Sequence, residues 1–422
     1  MRTTRWKAFL RAGHLPTLLT ALLYFDFCFA IWVLNAAMAP FISEELHLSA
    51  AEKGLMLSVP VIAGALMRFP LGLLSQYIGR KRAAMVEMSI IVVGLLVGWL
   101  VTDSFQGVVG MGVLLGVAGA SFGVALSLGS GWYPPEYKGL AMGIAGAGNS
   151  GAVLAVLLAP PLAAAVGWRA VYGLAVIPMV IAMVLLQVFA KEPPDRVHAP
   201  MRDHLKVLVD KDAWVFNLLY MVSFGGYIGL TSFLPTFFHD QYGIPKQEIG
   251  TYAAVAIVAA SVLRVAGGWL SDKLGGVRLL FSLLAIVILS VGAAATLPGS
   301  PWAMVGLLVV AFAAMGAANG AVFQLVPLRF AGATAVAGSL IGEIGALAGG
   351  FLPNAMGTGR AWTGSFAPGF IFLAVLAVAA VGVLALVQRR WTATWVGEGG
   401  RARVLAPAEA PVAVAADVRE AA

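Results

Sequence analysis

Long apolar runs separated by short polar clusters occupy almost the whole chain. A run of 18 or more such residues can cross a hydrocarbon core of about 30 Å as one helix. Twelve helices are expected: 15–41, 54–78, 84–101, 107–132, 139–166 and 169–190, then 214–238, 249–272, 279–297, 301–328, 334–356 and 366–388. The ~10-residue alternating segments of a membrane β-barrel are not visible. The pattern predicts an all-α polytopic membrane protein with a six-helix half at 1–190, a polar cytoplasmic linker at 191–213 and a second six-helix half at 214–390. A tail at 391–422, rich in Ala, Val, Pro and Glu, reads as disordered. The basic, then apolar, first thirty residues look like a signal peptide, but Asp26 interrupts the run and no small-x-small cleavage site follows.

Two charges break the apolar pattern at corresponding places. Arg68 begins the run Arg68-Phe-Pro-Leu-Gly72-Leu-Leu74-Ser75-Gln76-Tyr-Ile-Gly79-Arg80-Lys-Arg82. Arg264, 196 residues later, begins Arg264-Val-Ala-Gly-Gly268-Trp-Leu270-Ser271-Asp272-Lys-Leu-Gly275-Gly-Val-Arg278. Arg, Gly, Leu, Ser, Gly and Arg recur at one offset, which marks an internal repeat. An arginine at bilayer depth costs a few kcal/mol or more and usually faces a bundle interior or a water-filled cavity. Two of them, one per repeat, point to one central anion site.

Composition narrows the reading. The chain is 60% hydrophobic and 11% charged, with a net charge of +7. With the N-terminus placed in the cytoplasm, 21 of the 27 Lys and Arg fall in inside segments and four (Lys53, Arg169, Lys246 and Arg360) outside; the other two are Arg68 and Arg264. That bias follows the positive-inside rule, with both termini cytoplasmic in the inner membrane, and accounts for the net charge without nucleic acid. Cys28 is the only cysteine, and the five histidines are scattered, so neither disulfides nor a metal cluster is expected. No nucleotide loop or nucleophile–base pair stands out, so neither catalysis nor a cofactor is expected.

Helix rise places other polar groups near the arginines. Arg68 lies roughly 15 Å and Arg264 about 12 Å from the basic ends of their helices; Asp26, Asn149 and Glu343 fall at about 14–16 Å. The bland reading is a polar network holding helices together. Two mid-depth cations favour a substrate site. Gly139, Gly143, Gly146 and Ser150 form one stripe of the fifth helix, with Gly148 and Gly151 on another side; Gly338, Gly342, Gly345 and Gly349 form a stripe of the eleventh. Small stripes permit close helix packing, which must also slide if the halves rock.

The loop after each arginine helix, with Gly72, Gln76, Gly79 and Arg80 in one copy and Gly268 and Asp272 in the other, resembles the gating motif of the major facilitator superfamily. Gln76 stands where the motif has an acid. The run Ala145-Gly146-Ala-Gly148-Asn149-Ser-Gly151 resembles a signature of the nitrate/nitrite porter family within it. So do Gly342-Glu343-Ile-Gly345-Ala-Leu-Ala-Gly349-Gly-Phe-Leu-Pro353 and Gly316-Ala-Ala-Asn319-Gly320-Ala-Val-Phe323-Gln324-Leu-Val-Pro327. The resemblance spans residues 20 to 360. It implies a major facilitator fold, alternating access, and a small inorganic anion, nitrate or nitrite, clasped by Arg68 and Arg264. It further implies sandwiching aromatics, with Phe122 and Tyr227 in matching positions, and a monomer in the lipid bilayer. A planar guanidinium, always charged, suits a planar, weakly hydrated monovalent anion better than lysine would.

Glu343 stands where the signature has a small apolar residue. Either Glu343 or Asp26 balances the arginines, or one of them takes a proton with the anion, giving symport rather than nitrate/nitrite exchange. A carrier of another small anion, such as a carboxylate or organic phosphate, is the nearest rival. A membrane sensor and an anion channel are the readings from other classes.

Overall fold

The computed structural model describes residues 2–194, 206, 207, 209–330 and 334–402. Among these residues no strand forms. The bundle helices are α1 (Leu15–Glu45), α2 (Ala50–Ile78), α3 (Arg80–Leu100), α4 (Phe105–Ser130), α5 (Ala141–Val166), α6 (Trp168–Phe189), α7 (Lys211–Tyr242), α8 (Ile249–Leu274), α9 (Gly276–Ala294), α10 (Pro301–Arg329), α11 (Thr334–Thr363) and α12 (Ala367–Thr394). Eleven of these, all except α11, are long and apolar enough to cross a membrane by the length and hydropathy of the described residues. The thirty-residue α11 occupies the remaining expected span.

Local chemistry explains where the ends differ from the sequence reading. Ser49 and Glu52 form a capping box that starts α2 at Ala50, ahead of the expected boundary. Asp210 caps α7, so that helix begins at Lys211. A non-α turn at Val33 lets α1 continue to Glu45.

The repeat is structural as well as sequential. Helices α2 and α8 end on Gly79 (φ +95°) and Gly275 (φ +94°), a backbone conformation that glycine adopts without a Cβ penalty. One turn before each arginine, the helix crosses its neighbour at a glycine. A Cβ on Gly116 of α4 would lie 2.7 Å from the Pro60 carbonyl oxygen, and one on Gly64 of α2 would lie 2.6 Å from the Gly116 carbonyl. In the second half, a Cβ on Gly316 of α10 would meet the Ala260 carbonyl at 2.1 Å, and one on Gly320 would meet the Arg264 carbonyl at 2.3 Å. Each crossing fixes the backbone from which an arginine projects.

Each half is also closed by the segment after its sixth helix. The Glu192 carboxylate accepts the backbone N–H groups of Arg80 (2.8 Å) and Lys81 (2.9 Å) at the start of α3. After α12, Glu398 pairs with Arg278 at 2.9 Å, and Gly399 and Gly400 lie against Gly275 and Val277 at the start of α9. Residues 391–402 therefore depart from the expected disordered tail: Trp391 is buried, donates to Asp212 at 2.7 Å and stacks on Phe216 at 5.0 Å. The rest of that tail, from 403, and most of the expected linker lie outside the described residues. The N-terminal helix Arg2–Ala12 docks through Phe9, which stacks on Tyr133 with centroids 4.8 Å apart.

The two halves meet most tightly at the end opposite the Arg80–Arg82 cluster. There Lys53 of α2 pairs with Asp240 of α7 at 2.6 Å, and Lys246 pairs with Glu44 of α1. Gly54 packs on the backbone of Pro353 and Gly357 in α11, and Gly250 on the Val156 carbonyl. Toward the basic end, Gly72 of α2 and Gly143 of α5 face open space. The halves are thus latched at one end. Half-exposed pairs contribute about 1 kcal/mol at most. Lys53→Ala with Lys246→Ala is expected to raise thiol labelling of Asn354→Cys from the latched side about fivefold; an unchanged rate would assign the closure to the Gly54 packing alone.

Candidate functional site

Arg68 and Arg264 come together in the middle of the bundle, one from each half. Their guanidinium carbons lie 5.8 and 5.4 Å from the centroid of one ring, Phe122 of α4. Phe122 follows a 3-10 turn, Val117–Ala120, that interrupts α4. The irregular turn leaves the Gly119 carbonyl free to accept Nε of Arg68 at 3.0 Å. The Gly342 carbonyl of α11 accepts Nη1 of the same arginine at 2.7 Å. Arg68, only 6% exposed, therefore touches both halves, and the rings of Trp32 (5.6 Å) and Phe224 (5.1 Å) pack around it.

Arg264 is held differently. Its Nη1 is buried without a hydrogen-bond partner, although Tyr220 stands within hydrogen-bonding reach of the guanidinium. Asn149, Tyr227, Ala260, Ser261 and Asn319 line one narrow crevice with it. The side-chain oxygens Oδ1 of Asn149 and Asn319 are likewise buried and unpartnered. Buried polar atoms without partners cost about 1–3 kcal/mol each, so an arrangement that keeps several around one crevice is suited to a polar ligand.

Non-α turns recur here. Asn149 sits in a second 3-10 turn, Ala147–Ser150, in the fifth helix. A π-turn, Met221–Gly225, interrupts α7 beside Tyr220 and Phe224. Such turns are frequent at functional sites because they redirect side chains and release carbonyls. Tyr220 stacks on Phe224 with centroids 5.2 Å apart and meets Phe323 edge-on at 5.2 Å.

The structure thus gathers Arg68, Arg264, Phe122, Asn149, Asn319 and Tyr227, together with Gly342. Gly345 lies under Tyr220, where a Cβ would come within 2.4 Å of the ring. Tyr227 lines the Arg264 crevice, and the α7 ring lying against Arg68 is Phe224. Trp32, Tyr220, Phe224 and Ser261 escaped the sequence reading. The i, i+4 spacing of Tyr220 and Phe224 was a signal, but nothing in their residue types marks the π-turn. Glu343 is half-buried, with Oε2 unpartnered, and is an electrostatic neighbour of Arg68. Asp26 is engaged elsewhere: Ser150 donates to it at 2.6 Å and the Gly151 N–H points at it. Gly148 and Gly151 press the fifth helix onto α1 at Phe25 and Asp26, and Gly146 has only Leu126 nearby. In the gating motif, Gln76 is half-buried, Asp272 is exposed and Gly268 approaches Gly320.

The model of the Major Facilitator Superfamily matches residues 20–353. The chain belongs to the major facilitator superfamily. Among facilitators of known name, it is 32% identical over 353 residues to the nitrite extrusion protein of Bacillus subtilis, covering 83% of this chain and 89% of that one. It is 32% identical to a probable nitrate transporter, NarT, of Staphylococcus carnosus, covering 85% and 91%. A probable nitrate/nitrite antiporter, NarK1, of Thermus thermophilus is 29% identical, covering 89% and 91%. A bacterial homolog of the human lysosomal transporter Spinster, solved in an inward-facing and unoccupied conformation, superposes with a TM-score of 0.69 at 21% identity, covering 90% of this chain and 98% of that one.

Gly320 tests how this facilitator positions Arg264. Gly320→Val overpacks the α8–α10 crossing and is expected to cost about 1–3 kcal/mol, read as a lower melting temperature in detergent. Gly72→Ala, which meets open space, is expected to be silent.

Proposed function

We propose that this facilitator moves nitrate and nitrite across the membrane by alternating access, binding the anion between Arg68 and Arg264. The observation that carries the reading is the pair of guanidinium groups, one from each half, 5.8 and 5.4 Å from the centroid of the Phe122 ring, with Arg264 Nη1 unpartnered. A flat anion entering that crevice would accept from Arg264 and, with the amide NH2 groups rather than Oδ1 turned toward it, from Asn149 and Asn319, while Phe122 and Phe224 cover its faces. The relatives named as nitrate and nitrite transporters support the substrate class. Metal and nucleophile chemistry have no part in the reading: the protein is a transporter.

Orientation follows from charge. The basic end is cytoplasmic by the positive-inside rule, which makes the latched end external and the present conformation inward-facing. Anion binding draws Arg68 and Arg264 toward a common charge. That contact is the differential affinity that would favour closing the cytoplasmic side.

Counterflow in liposomes tests the proposal. Internal nitrite is expected to accelerate labelled nitrate entry, and Arg68→Lys or Arg264→Lys to weaken apparent affinity at least tenfold, the loss of about 1.5–3 kcal/mol from charge-assisted hydrogen bonds. Acetate or glycerol phosphate competing as well as nitrite would transfer the reading to another anion.

A further inference from the structure

We propose that His14 is a proton-sensitive clasp at the basic end of the first half: taking up a proton there loosens the start of α1 and slows the carrier.

Hydrogen-bond geometry carries the proposal. α1 begins Leu15-Pro16-Thr17, and His14 caps it. Pro16 has no N–H, so the Thr17 N–H is the donor that the cap serves, and it points at Nδ1 of His14 at 3.2 Å. The Thr17 hydroxyl lies 2.7 Å from the same nitrogen. A nitrogen that accepts a backbone N–H carries no proton of its own, so the ring is neutral with its hydrogen on Nε2. An imidazolium has a proton on both nitrogens, and no rotation of the ring restores an acceptor. Charging His14 therefore removes the cap.

The clasp does more than start a helix. Thr17 is fully buried, and its hydroxyl accepts the Lys191 N–H, just past α6, at 2.8 Å, which leaves its own hydrogen for Nδ1. The Lys191 carbonyl in turn accepts Nε1 of Trp132, just past α4, at 3.0 Å. His14, Thr17, Lys191 and Trp132 thus tie the ends of three helices together. The second half ties the corresponding places with charges: Asp212 at the start of α7 is held by Arg329 at the end of α10 and by Arg390 and Trp391 in the last turn of α12. One knot is ionic, and the other depends on an uncharged imidazole.

The surroundings of His14 oppose its charging. The start of α1 is the positive end of a helix dipole. Lys191 stands across from it, and Lys7 and Arg11 are exposed on the helix that precedes it. The Trp132 ring, 5.4 Å away and tilted by 42°, offers a charged ring only a weak attraction. Tyr133, past α4, packs on Phe9, as does Tyr137, ahead of α5. The acids are committed elsewhere: Glu192 accepts the first N–H groups of α3, and Asp26, about three turns deeper in α1, is bonded by Ser150. Among the described residues no carboxylate bonds to His14. Partial burial, and then the Lys191 charge, hold the imidazole below its ordinary value of 6.5. The stability that the clasp contributes is therefore present above that ordinary value and is lost as the pH falls through the lowered one.

At neutral pH the clasp is closed, and the first half moves as one body. Acidification at the basic end opens it, α1, α4 and α6 no longer move together, and turnover falls with the anion site itself unaltered.

Two readings test this, the first without substrate. In amide hydrogen exchange of the purified carrier, corrected for intrinsic rates, residues 15–20 of the wild type are expected to exchange about fivefold faster at about pH 5 than at about pH 7.5, the loss of one N-cap. The start of α4 is capped by Ser104, which has no charge to gain, and is expected to hold over the same range. In the second reading, labelled nitrate enters proteoliposomes against internal nitrite with equal pH on both sides, so no proton gradient drives it. Wild type is expected to slow by a similar factor. His14→Asn, a cap that does not titrate, is expected to keep both protection and rate, and His14→Ala to be unprotected and slow at either pH. Unchanged wild-type protection would overturn the proposal. So would His14→Asn following the wild-type profile in either reading, or protection lost with no change in rate. If His14→Asn does not fold, His14→Ser decides by the same readings. If the carrier moves no nitrate, the substrate reading has failed, and the amide profile alone decides the clasp.

Discussion

The structure depends on holding two guanidinium groups, Arg68 buried and Arg264 half-buried, close to each other at the middle of a bilayer-spanning bundle. Their mutual repulsion and their desolvation both oppose folding. The protein offsets these costs with backbone carbonyls, aromatic faces and a carboxylate around Arg68, but leaves Arg264 partly unsatisfied. On the proposed reading, an anion would relieve that imbalance. A site already neutral and fully bonded would gain little from ligand, whereas this one gains by placing a charge where the protein's own groups fall short.

Such a site needs a stiff frame, because the pairing geometry of a guanidinium is directional. The frame comes from backbone-to-backbone contact. Gly64, Gly116, Gly316 and Gly320 bring α2 onto α4 and α8 onto α10 one turn from each arginine, closer than any side chain would permit. The irregular turns at Val117–Ala120, Ala147–Ser150 and Met221–Gly225 then supply what regular helices cannot: free carbonyls and redirected side chains. The crossings lie within each half, whereas the bond from Arg68 to the Gly342 carbonyl runs between halves.

Much of this was legible in the sequence, because hydrophobic length and charge placement are strong physical signals. The apolar runs give the helices, and the offset between Arg68 and Arg264 gives the two-fold plan. What stayed hidden depends on geometry between helices. Nothing about Tyr220 or Phe224 alone says that a π-turn aims them at arginines. Asp26 looked equivalent to Glu343 by depth, but depth does not report azimuth, and the two acids face different helices. The residues after Arg390 looked featureless, yet Trp391 finds a buried partner in Asp212, a contact spanning nearly the whole second half.

The contacts that Glu192 and Glu398 make with α3 and α9 bear on how the chain is assembled. Glu192 and Glu398 each fold the end of a half back onto its own third helix, Glu192 by accepting the first backbone N–H groups of α3 and Glu398 by pairing with the Arg278 side chain of α9. A chain severed between residues 195 and 205 would keep each closing contact within its own fragment, and the fragments would still share the Arg68–Gly342 bond and the Lys53–Asp240 and Lys246–Glu44 pairs. Each half thus carries its own closing contact, independent of the contacts it makes with the other half.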